Sequence, residues 1–351
     1  MNNKTIKHAV FVPVYNISVS CDIVNTAVFD DYTFVRSNRI LDRYGSYILS
    51  HDHFARQFLQ DIADWHPEKS IFFPCANLVL VKEVENIDTD EDNRKTAIAI
   101  KKEINNIMLA LRLSNKGLCQ INNGYMLSCD HSSCQQFGAS SKLENIVAIH
   151  QTVTGGWVRE NDYELNKEVL SNAISTYNML KTMKAKVFVP TTYFNKYYDS
   201  LTPYERIIQT AIIFESSILA GYTDELNYRM MLRTSAILGR NVEDLLKLFY
   251  SIRSHIIHNG NIGKNKDYKD ILKKLKKFTG IESKDETELL FYFVKDHIEP
   301  ILREVLYKSF KILAETELND FEALTKELDN FILKQVTKES FEPRIENNDG
   351  C

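Results

Sequence analysis

The sequence predicts a mixed α+β domain followed by an all-α helical bundle. Three observations carry this expectation. From Ala9 to about Val153, short β-branched and aromatic runs are interspersed with polar turns. After Gly155-Gly156, apolar residues recur mainly at helical spacing. With 351 residues, 44% hydrophobic and 26% charged, the chain has ordinary globular composition and enough length for two domains. The expected boundaries are 1–155 for the α+β domain, 156–200 for a connecting helical segment, 201–337 for the helical domain and 338–351 for a mobile tail.

In the first half, Val10-Phe11-Val12, Ile71-Phe72-Phe73 and Leu78-Val79-Leu80-Val81 have the composition of short buried strands. Asp88 to Asp92 is expected as an acidic loop. It would precede a helix over Thr96–Leu113, whose Ile100, Ile104, Ile107, Met108 and Leu111 share one face. Asn122-Asn123-Gly124 is expected as a turn. In the second half, Leu165 to Leu180 traces an amphipathic helix, and Val187-Phe188-Val189-Pro190 looks like a short strand. Thr202-Pro203 opens the next helix with an N-cap followed by proline. Another helix follows Thr223 and closes near Gly239, and a further one spans Val242–Ile257 and meets Asn259-Gly260. Later helices are expected at Tyr268–Phe278, Glu286–Glu315 (with Pro300 as a kink or boundary) and Asp320–Leu333.

The net charge of −4 argues against a protein that coats nucleic acid through bulk electrostatics, so any RNA contact must come from a local basic patch. Six cysteines in a chain of this length do not make a disulfide scaffold, and they are expected as reduced thiols. The start lacks a signal-peptide pattern, and no apolar run reaches membrane-spanning length. A cytoplasmic protein without membrane contact is expected.

The most informative segment is Tyr250 to Gly260. Its apolar face runs through Leu245, Leu248, Phe249, Ile252 and Ile256, and Arg253, His255 and His258 lie off that stripe near the helix end. Five residues of ideal helix turn through roughly 140°, so Arg253 and His258 share a face only if the backbone leaves helical geometry. Asn259-Gly260 is expected to allow that departure. The plainer alternative is that an arginine and a histidine near a helix C-terminus simply complement its dipole.

The wider pattern adds to this. Glu215, Tyr228-Arg229, Arg233, Ala236, Leu238-Gly239, Tyr250, Arg253-Ser254 and His258 occur in an order that resembles the Apea-like branch of the HEPN superfamily. Asn259 stands between His258 and Gly260, and serine follows the arginine where many active HEPN nucleases carry Asn, Asp or His; serine is usual for this branch. The resemblance implies a HEPN-like bundle acting as a metal-independent endoribonuclease, without a cofactor, whose substrate is RNA. Arg253 and His258 would be catalytic. Histidine titrates near neutral pH and can move the 2′-hydroxyl proton, and arginine offers a permanently charged fork to the phosphorane. Ser254 and Asn259 could position phosphate or water. His255 could touch substrate or be a solvated helix residue. Glu215, Arg229 and Arg233 are expected mainly as polar links between helices. The resemblance also implies a homodimer through the helical half, a role in bacterial defence or as a toxin, and a protein trigger or partner at the α+β domain. The rival is a catalytically silent HEPN module for dimerisation, RNA binding or protein binding.

Lys264, Lys266, Lys269, Lys273, Lys274, Lys276 and Lys277 follow the motif against only Asp267 and Asp270. They would attract a phosphate backbone, or form the solvated face of an amphipathic helix, and both can hold together. The apolar run Leu289–Val294 is expected at a paired interface. Cys119, Cys129, His131 and Cys134 could in principle bind zinc, but their spacing matches no common finger, and buried thiols are the expectation. His51-Asp52-His53 is a weaker cluster still. Gly155-Gly156 lacks the lysine-serine of a phosphate-binding loop.

Overall fold

The run Ala9–Tyr15 is apolar throughout, as suits a strand buried on both faces, and it continues the more polar Thr5–His8. In the computed structural model the whole stretch Thr5–Tyr15 forms β1, the central strand of an antiparallel sheet. The structure describes residues 5–15, 17–20, 23–49, 78–87, 90–117, 119–121, 123–129, 134–138, 163–200, 202–260 and 267–341. The sheet adds β3 (Thr33–Arg36), β4 (Leu78–Ile87), β5 (Gln120–Ile121), β6 (Asn123–Ser128) and β7 (Cys134–Gly138) in the order β3-β4-β1-β6-β7, with β5 on the end of β1. A separate parallel pair joins β2 (Ile17–Val19) to β8 (Tyr163–Leu165).

Alternation along β1 sends Val10, Val12 and Val14 to one face and Ala9, Phe11 and Tyr15 to the other. The second face is covered by α1 (Ile40–Ile48) through Ile40, Tyr44 and Ile48. The first is covered by α2 (Asp90–Ser114) and α3 (Lys167–Thr182). Ile100, Ile104, Ile107, Met108 and Leu111 of α2 face the sheet, on the stripe their spacing predicts. The helix begins six residues earlier than expected, at Asp90. Glu91 and Asp92 thus lie in its first turn, near the positive end of the dipole, and Asp88 lies outside the described residues. Asn123-Gly124 is likewise no turn: both residues lie in β6 and pair with Gly138 and Phe137. Ile71-Phe72-Phe73, His51-Asp52-His53 and Gly155-Gly156 lie outside the described residues.

The C-terminal half is helical: α4 (Phe188–Asp199), α5 (Pro203–Ser216), α6 (Leu226–Leu238), α7 (Glu243–Asn259), α8 (Tyr268–Thr279), α9 (Glu286–Phe293), α10 (Glu299–Glu315) and α11 (Phe321–Phe341). The strand expected at Val187–Pro190 is instead the first turn of α4. Proline is tolerated there because the first N–H groups of a helix have no intrahelical acceptor to lose. At α5 the Thr202 hydroxyl accepts from Glu205 N, and the Glu205 carboxylate accepts from Thr202 N, a complete capping box. Between α9 and α10 the chain widens into a π segment, Val294–Ile298. Pro300 lacks an N–H and would clash with the carbonyl four residues back, so a wider turn before it relieves the conflict. Helix α11 runs to Phe341, four residues into the stretch expected as a tail.

One core cluster joins these helices, and α2 reaches it too. Leu109 and Leu113 pack with Phe194, Leu302 and their neighbours, whereas the other apolar face of α2 serves the sheet. Helix α3 packs on α2 and supplies Leu170, Ala173 and Tyr177 to the sheet-side core, while α4 packs on α5. Arg112, 1% exposed, ties the halves together. Its Nε donates to the Cys119 carbonyl at 3.1 Å and its guanidinium to Asn195 Oδ1 at 2.7 Å, and it stacks over Tyr198.

Leu289, Leu290, Phe291, Phe293 and Val294 are 0–2% exposed. This run was expected at a subunit interface, but apart from the half-buried Tyr292 it is buried within the chain, with Leu289, Leu290, Phe293 and Val294 in its own core. Among the described residues, no helix is long and apolar enough to cross a membrane.

Candidate functional site

Helix α7 carries the candidate residues, and its burial pattern follows the predicted stripe except that Leu245 is half-buried and Leu246 is buried. Leu246, Leu248, Phe249, Ile252 and Ile256 are buried; Arg253, Ser254 and His255 are half-buried; His258 is exposed. The buried face packs against α5, with Phe249 lying 5.9 Å from the Phe214 ring. That contact brings Arg253 to Glu215 near the C-terminal end of α5, where the two side chains form a close ion pair. A carboxylate at the negative end of a helix dipole is unfavourable by itself, and the guanidinium offsets it. Arg253 is 21% exposed at its side chain and Glu215 39%, so the pair sits at the protein surface over an apolar floor of Ala211, Leu219 and Met230. Tyr250, one turn earlier, holds its ring 5.8 Å from the guanidinium carbon.

The helix does not release His258. It continues through Asn259, and the left-handed residue is Gly260, at φ +73°, whose N–H bonds to the Ile256 carbonyl at 2.9 Å. The expected departure thus falls two residues too late to reorient the histidine, because glycine takes the left-handed conformation far more readily than asparagine. His258 therefore stays about 140° around the helix axis from Arg253. Comparison with protein-family models, curated proteins and solved structures finds no match for this chain.

The remaining candidates fall as follows. Ser254 and His255 lie on the half-buried flank of α7, and the backbone of Asn259 closes its last turn. Lys264 and Lys266 lie outside the described residues. Lys269, Lys273, Lys274 and Lys277 are exposed on α8, which packs against α7, and Lys276 pairs with Glu282 at 3.6 Å. Arg229 and Arg233 are polar links between helices. Arg233, fully buried, forks onto both Asp329 oxygens at 2.8 and 2.7 Å and donates to the Ile218 carbonyl, and Arg229 reaches the same carboxylate at 3.3 Å. Asp329 carries no local signal in the sequence, because it sits on α11, about a hundred positions from its partners.

Of the cysteine set, the described side chains are those of Cys119 and Cys129. Cys119 is buried and its thiol is pushed up to about 12 by desolvation, which disfavours the thiolate a metal needs. Cys129 is exposed, Cys134 belongs to β7, and His131 lies outside the described residues. Among the described residues, no three His, Cys, Asp or Glu side chains are grouped to hold a metal ion.

Proposed function

We propose that the chain is a metal-independent endoribonuclease of the HEPN type, acting as a homodimer. The supporting observation is Arg253. It is a guanidinium fixed by Glu215 at the surface end of a helix, with its flank open to solvent and an exposed histidine in the following turn. In the proposed reaction, a histidine takes the proton of a ribose 2′-hydroxyl, whose oxygen attacks the adjacent phosphorus. The P–O5′ bond breaks, and the leaving oxygen is protonated, giving a cyclic phosphate and a free 5′-hydroxyl. Arginine stabilises the charge gathered on the phosphorane. The 140° separation makes a second copy necessary: His258 of one subunit would act beside Arg253 of the other. The exposed lysines of α8, adjoining α7, would hold the flanking phosphates. The α+β half would sense the trigger of a defence or toxin system.

A silent module for dimerisation or binding is favoured by one observation: one arm of the Arg253 guanidinium, Nη2, already donates to Glu215. Cleavage chemistry separates the two readings. A His/Arg nuclease retains activity in EDTA and leaves cyclic-phosphate or 3′-phosphate ends. Activity abolished by chelation and restored by magnesium contradicts the assignment.

The assembly has its own test. Since the Leu289–Val294 run is internal, the proposed interface lies at the end of α7, where Ile257 is 47% exposed beside His258. Light scattering at micromolar concentration is expected to give twice the chain mass. A monomer with and without RNA rules out the composite site.

A further inference from the structure

The outer side of α2 carries a patch that the α7 site does not use. Ile98 is 62% exposed there, although the other large apolar residues of this helix are buried in the two cores. Arg94 and Lys95 precede it by four and three residues, and Lys101 and Lys102 follow it by three and four. On a helix these positions lie within about 60° of Ile98 and about 6 Å of it along the axis, so the four cations frame it. All four are exposed. Lys95 pairs with Glu91 at 2.7 Å, and Arg94, Lys101 and Lys102 make no ion pair among the described residues.

We propose that this face docks an acidic segment of another protein, one that sets an apolar side chain on Ile98 between flanking carboxylates. Charge complementarity selects the acids: in a chain of net charge −4, these cations are a local excess that carboxylates neutralise. The isoleucine selects the apolar contact, because a large side chain left in water gains by being covered. Other occupants fit less well. A nucleic-acid backbone would use the cations but leave Ile98 against phosphates. A lipid surface needs several large apolar residues on the outer face, and Ile98 is the one that α2 exposes among the described residues. A second copy is opposed by register. Antiparallel pairing centred on Ile98 sets Arg94 against Lys102 and Lys95 against Lys101, and parallel pairing sets each cation against its own copy. Shifting the register to bring Glu91 to Lys101 places Ile98 against Arg94.

The full chain is titrated without cleavable RNA, so the outcome is independent of the ribonuclease reading. Fluorescence anisotropy follows three labelled probes: a peptide of glutamates with leucine at every third or fourth position, polyglutamate of the same length, and a single-stranded DNA oligonucleotide. The leucine-containing peptide is expected to bind saturably and about tenfold tighter than polyglutamate, and Ile98→Ser should erase that difference. Serine is close to isoleucine in helix propensity, so α2 should persist. Lys101→Glu with Lys102→Glu should abolish binding of both peptides, whereas Lys273→Glu on α8 should leave it unchanged. All these substitutions fall on exposed side chains, and an unchanged melting temperature checks that each variant is folded. No saturable binding of the leucine-containing peptide, equal affinity for the two peptides, or binding indifferent to the double substitution overturns the proposal. Oligonucleotide binding that is tighter than the peptide's and lost in the double variant also overturns it, and assigns the face to nucleic acid.

Discussion

Asp329→Ala is expected to destabilise the helical half by about 3 kcal/mol, a large share of the roughly 5–15 kcal/mol of a typical domain. The cause is the arginine it leaves behind. Arg233 is 0% exposed, and without Asp329 its charge retains only the Ile218 carbonyl and the face of Tyr222, 4.2 Å away. Asp329 itself is one quarter exposed, which places the loss at the lower end for a broken buried pair. Urea unfolding should show the midpoint falling with an unchanged slope. Replacing both partners with apolar residues, Arg233→Met with Asp329→Leu, should recover most of the loss because the fully buried charge is gone and Arg229, which also loses Asp329, keeps its pair with Glu225 at 3.6 Å. Acid provides a second readout. The Arg233 hydrogen bonds hold the Asp329 carboxyl below its ordinary value of 3.8, against the opposing pull of desolvation. A depressed carboxylate contributes stability above its unfolded pKa and loses it as pH falls through the folded one. Melting temperature should therefore drop below about pH 4 more steeply in the wild type than in the double apolar variant.

Phe249→Ala and His258→Ala, on the same helix, should give opposite results. Phe249 is 1% exposed and packed on Phe214, and truncating it should cost about 3–5 kcal/mol. His258 is exposed, and its replacement should shift stability by about 0.5 kcal/mol or less. Arg253→Ala should lie between them, since it removes the partner of Glu215. If His258→Ala melts as low as Phe249→Ala, the histidine is structural and the silent module is the better account.

Much of this architecture was legible locally. The stripe of α2, the Thr202-Pro203 start of α5 and the glycine ends of α6 and α7 each follow from spacing or backbone preference within a few residues. The errors arose where two local rules competed. Val187–Pro190 has strand composition, yet proline fits a helix's first turn equally well; Asn259 and Gly260 both permit a left-handed cap, and glycine took it. The burial of Leu289–Val294 was open to two readings, since an apolar run fits an internal helix or an interface alike. At the candidate site, the sequence placed Arg253, Ser254, His255 and His258 on one helix end, but the pairing of Arg253 with Glu215 depends on how α5 crosses α7. Asp329 was not legible, because its partners lie on elements about a hundred positions away in the chain.

The central claim is RNA cleavage by the Arg253/His258 pair, and the most direct test is a cleavage assay comparing the wild type with His258→Ala at matched folded concentration. The account predicts that the wild type cuts RNA in EDTA and that His258→Ala, equally stable, does not. Cleavage by His258→Ala at the wild-type rate, or no cleavage by either protein, would contradict it.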